Sequence, residues 1–99
     1  MILVRDIFQV KFGKMKEARA LLKENMTRDP GQTNGHQRVL TDLVGPYYTL
    51  VMESTHKDLG TYEADMKRQM SQPSTNSWYS RFVALVDSGR REVFTVEEL

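Results

Sequence analysis

The alternation of hydrophobic and polar positions is clearest over residues 2–12. Side chains on a strand point alternately to opposite faces. Ile2, Val4, Phe8, Val10 and Phe12 share one face, with a single polar member, Asp6. Leu3, Arg5, Ile7, Gln9 and Lys11 share the other. Both faces carry apolar groups and both need cover, so this stretch is predicted to be a central strand.

After Gly13 the period lengthens. Met15, Ala18, Leu22 and Met26 recur at spacings of three and four, and Leu21 widens the stripe. That predicts a helix over 14–26, with Lys14, Lys16, Glu17, Arg19, Lys23 and Glu24 on its wet side. Residues 27–35 hold Pro30-Gly31 and Asn34-Gly35, both turn signals, and read as a loop. A strand over 36–44 follows, broken by Gly45-Pro46, and a further strand over 47–55. So short a link predicts an antiparallel hairpin. In the later strand Tyr48, Leu50 and Met52 share one face; Tyr47, Thr49, Val51 and Glu53 share the other.

Thr55 is expected to cap the next helix, with Asp58 in the acid position of a capping box. Leu59, Tyr62, Met66 and Met70 form its expected buried stripe, which Gly60 weakens. Pro73 is expected to stop it. A continuation over 77–87 presents Trp78, Phe82, Leu85 and Val86. Gly89 is the expected left-handed stop, and 90–96 the last strand.

This order is the βαββαβ plan of a ferredoxin-like α+β domain spanning residues 1–99. Right-handed crossovers place the helices on one face of a four-stranded antiparallel sheet, ordered 4-1-3-2. The other face is bare and carries Leu3, Ile7, Tyr47 and Val51. Covering about 300 Å² of it at about 25 cal/mol per Å² is worth about 7 kcal/mol before association costs. A second copy, packed face to face, is the expected cover, so the chain is read as a homodimer.

Charge and composition narrow the partners. Fourteen basic and 13 acidic residues leave a net charge of +1, so neither nucleic acid nor a membrane surface is an expected partner. Cysteine is absent, which removes disulfides and thiolate metal sites. The apolar run after Met1 is too short for a signal peptide or a membrane span, and a soluble cytoplasmic protein is expected. His36 and His56 have no partner at metal-ligand spacing, and His56 is expected to be exposed at the start of a helix. No phosphate loop or nucleophile elbow is present, so neither metal nor cofactor is expected.

Asp6 is the residue most open to a chemical reading. A buried carboxylate must be paired, solvated or protonated. It reads either as a pocket acid or base between sheet and helices, or as half of an ion pair with an arginine such as Arg81. Tyr48, Trp78, Tyr79 and Phe82 are candidate aromatic walls of that pocket, though Trp78 and Phe82 also fit as core. Glu53 falls on the bare face, where it reads as a barrel-interior acid or as a partner of Arg5 or Arg91.

Several segments carry a family resemblance over nearly the whole chain. They are Val10-Lys11-Phe12-Gly13-Lys14, Leu50-Val51-Met52-Glu53-Ser54, Trp78-Tyr79-Ser80-Arg81-Phe82 and Ser88-Gly89-Arg90-Arg91-Glu92. In these the chain resembles the NIPSNAP-like group of the dimeric α/β-barrel superfamily. The superfamily also holds antibiotic-biosynthesis monooxygenases, polyketide cyclases, haem-degrading enzymes and muconolactone isomerases, so the resemblance implies a fold and a dimer without choosing an activity. In resembling cyclases a histidine lines the pocket where Asp6 stands here, and that mechanism does not carry over. The expected function is a small binding or interaction module with an apolar or aromatic ligand near Tyr48, Trp78, Tyr79 and Arg81. The alternative is a cofactor-free monooxygenase or cyclase/isomerase in which Asp6 moves a proton.

Overall fold

Neighbours hydrogen-bond to the first strand on both sides, as its two-faced apolar pattern requires. The computed structural model describes residues 1–28 and 37–99. Its elements are β1 (Ile2–Val10), α1 (Met15–Arg28), β2 (Gln37–Thr41), β3 (Thr49–His56), α2 (Leu59–Met70), α3 (Pro73–Val83) and β4 (Val86–Thr95). The strands form one antiparallel sheet in the order β2-β3-β1-β4. That is the predicted 4-1-3-2 arrangement seen from the opposite edge. His36, the predicted turns of 29–35 and the side chain of Met26 lie outside the described residues.

The even-numbered face of β1 turns toward the helices. Val10 there, with Leu50 of β3, packs against Ala18 and Leu22 of α1 and Trp78 and Phe82 of α3. Trp78 stacks on Phe82 with ring centroids 5.2 Å apart, and Phe82 meets Phe8 edge-on at 5.0 Å. Deleting a side chain as enclosed as Leu50 or Phe82 would cost about 2–5 kcal/mol. α2 differs, because none of its residues is fully buried. Its apolar stripe stands off the sheet, and Leu59, expected inside, is exposed.

Several boundaries depart from the sequence reading. Phe12 was expected under the helices; β1 ends at Val10, and Phe12 is 78% exposed, resting edge-on against Tyr48 at 4.7 Å. The chain turns there because Gly13 takes the left-handed region at φ 78°. The β2–β3 connection is longer than Gly45-Pro46 and includes Tyr47. It is held by Asp42, whose carboxylate accepts from the Thr49 N–H at 3.0 Å. Asp58, not Thr55, is the N-cap of α2; its carboxylate accepts from the Thr61 N–H at 2.7 Å.

Pro73 starts a helix instead of only ending one. It occupies the first turn of α3, where its missing N–H is no loss, and it holds Gln72 extended. The helix therefore finishes at Val83, and Val86 already belongs to β4. Gly89 is not a helix stop. It lies inside β4 opposite Phe8, and a Cβ there would fall 2.7 Å from a ring carbon of Phe8. The absent side chain is what lets the Phe8 ring lie across the strand.

Candidate functional site

Between the sheet and α2 and α3 lies a cavity of about 180 Å³. It exists because α2 stands off the sheet. Phe8, Met52, Met66, Trp78, Tyr79 and Phe82 are among its apolar walls, and Asp6, His56, Tyr62, Asp65 and Arg91 are among its polar ones, with Ser54, Gln69 and Arg38 beside them.

Asp6 reaches this cavity because it shares the even-numbered face of β1 with Val4 and Phe8. The sheet register sets Arg91 of β4 directly across from it. Arg91 Nε donates to Asp6 Oδ1 at 2.5 Å, and this carboxylate raises the already high pKa of Arg91 further. The arginine proposed from sequence, Arg81, is not the partner. It lies on the outer side of α3 and binds Glu24 of α1 at 2.7 Å, because the inward stripe of α3 is spent on Trp78 and Phe82. The structure thus joins two features expected to exclude one another: a cavity that reaches Asp6, and an arginine on Asp6.

The opposite polar wall was not foreseen. β3 runs one residue further than predicted, and His56 pairs with Ile2 and turns inward on the face of Met52 and Ser54. It is half-buried, correcting the expectation of an exposed histidine. Its Nε2 lies 2.8 Å from Ser54 Oγ, and its ring meets Tyr62 edge-on at 4.8 Å. Burial pushes the imidazole below its ordinary pKa, against a smaller upward pull from Asp65. Burial pushes the Tyr62 hydroxyl above its ordinary value, while Arg91, 5.6 Å from the ring centroid, pulls it down. Tyr62, Asp65 and Met66 share one helical face at spacings of three and four. That spacing, together with Ser54 and His56 two apart on a strand, was the signal available in the sequence.

Of the proposed aromatic walls, Trp78 and Tyr79 line the cavity. The Trp78 indole N–H donates to the Leu21 carbonyl at 2.6 Å, so this residue is core and wall together. Tyr48 lies at the far end of β3 against Phe12, at φ 60°, and is not a cavity wall. Among the described residues no group of three or more potential ligands stands at metal-binding spacing.

The helix-free face has its own centre. Glu53, 3% exposed, takes Arg38 Nε at 2.6 Å on one oxygen and Arg5 Nη2 at 2.8 Å on the other. Arg38, followed by Arg5, holds its carboxyl below the usual carboxylate range despite the opposing effect of burial. Of the partners expected, Arg5 is present. Arg91 cannot serve, because it sits across from Asp6 on the other face, and Arg38 takes that role. Leu3, Ile7 and Val51 surround the cluster, half-buried, with Leu40 and Phe94 more exposed. Tyr47 is not part of this face; it projects from the β2–β3 connection, 72% exposed.

No protein-family model matches the sequence, and no curated protein does. Solved structures share the fold. A NIPSNAP family protein from Agrobacterium tumefaciens superposes with a TM-score of 0.87 at 16% identity, over 98% of this chain and 93% of that one. An uncharacterized NIPSNAP domain protein from Burkholderia xenovorans gives 0.87 at 15% identity, over 98% and 95%. A cofactor-independent oxygenase from Streptomyces nogalater gives 0.73 at 15% identity, over 99% and 94%. The structural neighbours thus include NIPSNAP family proteins and proteins described as antibiotic biosynthesis monooxygenases, which share this ferredoxin-like α+β plan. Identities this low carry the architecture and no activity.

Proposed function

We propose that the chain acts as a homodimer, closed through its helix-free sheet face, whose cavity binds a small and largely apolar ligand. The observation that carries the reading is the cavity itself, with aromatic and methionine walls and a few converging polar groups. The apolar ring of Leu3, Ile7, Val51, Leu40 and Phe94 supports the dimer. No helix among the described residues is long and apolar enough to cross a membrane.

A cofactor-free enzyme is the second reading, favoured by the fold shared with the oxygenase from Streptomyces nogalater. In it Asp6 would serve as acid or base. The 2.5 Å bond from Arg91 weighs against that role, since it already occupies one of the two oxygens with which Asp6 would meet a substrate.

Trp78 is the only tryptophan and lines the cavity, so its fluorescence reports occupancy. Titration with 4-nitrotoluene is expected to give saturable quenching that Met66→Phe, which narrows the space without adding a second tryptophan, weakens. Quenching that stays linear to the solubility limit would show that no ligand cavity operates.

A further inference from the structure

Among the described residues, the buried side-chain polar atoms without a partner are His56 Nδ1, the Tyr62 hydroxyl and Asp65 Oδ2. They gather where α2 closes on the end of β3, and all three are shut off from water. A polar atom buried without a bond costs the closed state the hydration it has lost. Three of them along one seam make the contact between α2 and the sheet weak, while the packing of α1 and α3 is tight.

α2 is built to come away from that seam. It buries no residue fully. Its ion pairs, Glu63–Lys67 at 3.1 Å and Asp65–Arg68 at 3.4 Å, lie within the helix and survive its displacement. Tyr62 meets the sheet through its ring, edge-on to His56 at 4.8 Å and below the Arg91 guanidinium at 5.6 Å. At each end of the helix one residue is extended: Asp58 (φ −159°, ψ 176°) before it, and Gln72 (φ −86°, ψ 128°) before α3. Small backbone rotations at such positions tilt a helix as a body. His56, in contrast, is tied to its own strand through Nε2 and Ser54 Oγ at 2.8 Å, and it stays with the sheet.

We propose that α2 is a lid over the cavity, hinged at Asp58 and Gln72, and that protonation of His56 favours its opening. Opening returns the three stranded atoms to water and uncovers the Phe8 and Met52 walls of the cavity. The charged and titratable groups around His56 are Asp65 and Tyr62 on α2, Asp6 on β1 with its partner Arg91 on β4, and Lys57, Asp58 and the terminal amino group beside the strand end. Arg38 and Glu53 bind each other on the opposite face. Under the closed lid, burial disfavours the imidazolium, and the smaller attraction of Asp65 favours it. A proton therefore binds His56 more readily when the lid is open. Acid shifts the balance toward the open form as pH falls below about 6.5. The lid goes beyond the ligand-binding reading and stands without it.

Amide hydrogen exchange of the full chain, corrected for the intrinsic effect of pH, tests this with no ligand present. The α2 amides are expected to exchange at least about tenfold faster than those of β1, through an opening short of global unfolding. Between about pH 7.5 and 5.5 that exchange should quicken by up to about tenfold, the limit that one proton sets. His56→Gln should remove the quickening. Tyr62→Phe takes away a hydroxyl stranded by the closed lid and should slow α2 exchange about fivefold at both pH values; it serves where His56→Gln does not fold. α2 amides that exchange only together with those of β1 overturn the lid. Fast α2 exchange that ignores pH in the wild-type chain, or that Tyr62→Phe leaves unchanged, is fraying that keeps the seam shut, and it overturns the lid as well. Absence of quenching by 4-nitrotoluene, with α2 opening as described, would remove the ligand cavity and leave the lid standing.

Discussion

Glu53 and His56 make the stability of this protein depend on pH in two separate windows. The Glu53 carboxyl is held below its ordinary value, so its contribution is complete above about pH 4.5 and is lost as pH falls through the folded value. His56 is also depressed, by burial. A histidine that binds its proton more readily when unfolded contributes fully above about pH 6.5 and progressively less below it. Melting temperature is therefore expected to fall in a first step as pH drops below about 6.5 and in a second below about pH 4.5. His56→Gln should abolish the first step alone, and Glu53→Gln should shrink the second, of which the Asp58 cap keeps a part. Gly89 gives a third test. Gly89→Ala drives a methyl group into the Phe8 ring and should cost about 1–3 kcal/mol, read as a lower melting temperature. Asp6 stood out in the sequence as the one polar residue on an apolar face. Its partner did not, because the choice between Arg81 and Arg91 depends on how β4 aligns with β1. That alignment contains a shift between Gln9 and Val10, which no local pattern announces.

At the scale of elements, periodicity revealed the order and the centre of the sheet, whereas the ends were set by chemistry that periodicity does not read. Proline illustrates the point: Pro73 ends one helix and begins the next, and only the extended backbone of Gln72 separates the two roles. The hidden polar wall has a similar origin. His56 sits at a strand end, where one additional residue of pairing decides whether its ring faces water or the cavity. α2 forms the roof over that ring without burying any residue fully, so its own terminus matters more than usual. Asp58→Ala removes the N-cap and should lower the stability of α2. Amide exchange in α2 is expected to quicken while that of β1 holds steady, because the loss is local to the roof.

For the whole molecule, the decisive surface is the sheet face without helices. Ile7 lies near its middle, across from Val51 on one side and Arg90 on the other. Ile7→Glu would put a charge where the second copy is expected to pack and should weaken self-association about a hundredfold, seen by sedimentation equilibrium. A wild-type chain that already sediments as a single copy at micromolar concentration would refute the dimer. The same face carries a further consequence. Arg5, Glu53 and Arg38 belong to three adjacent strands and meet only when each is correctly aligned. If β2 slid by one residue along β3, Arg38 would swing to the helix side and a valine or glutamine would stand in its place. Glu53 would keep one arginine out of two, sealed in a nearly dry position. A mis-threaded hairpin is thus penalised at a single carboxylate, which gives the sheet a way to reject neighbouring alignments that apolar packing alone would tolerate.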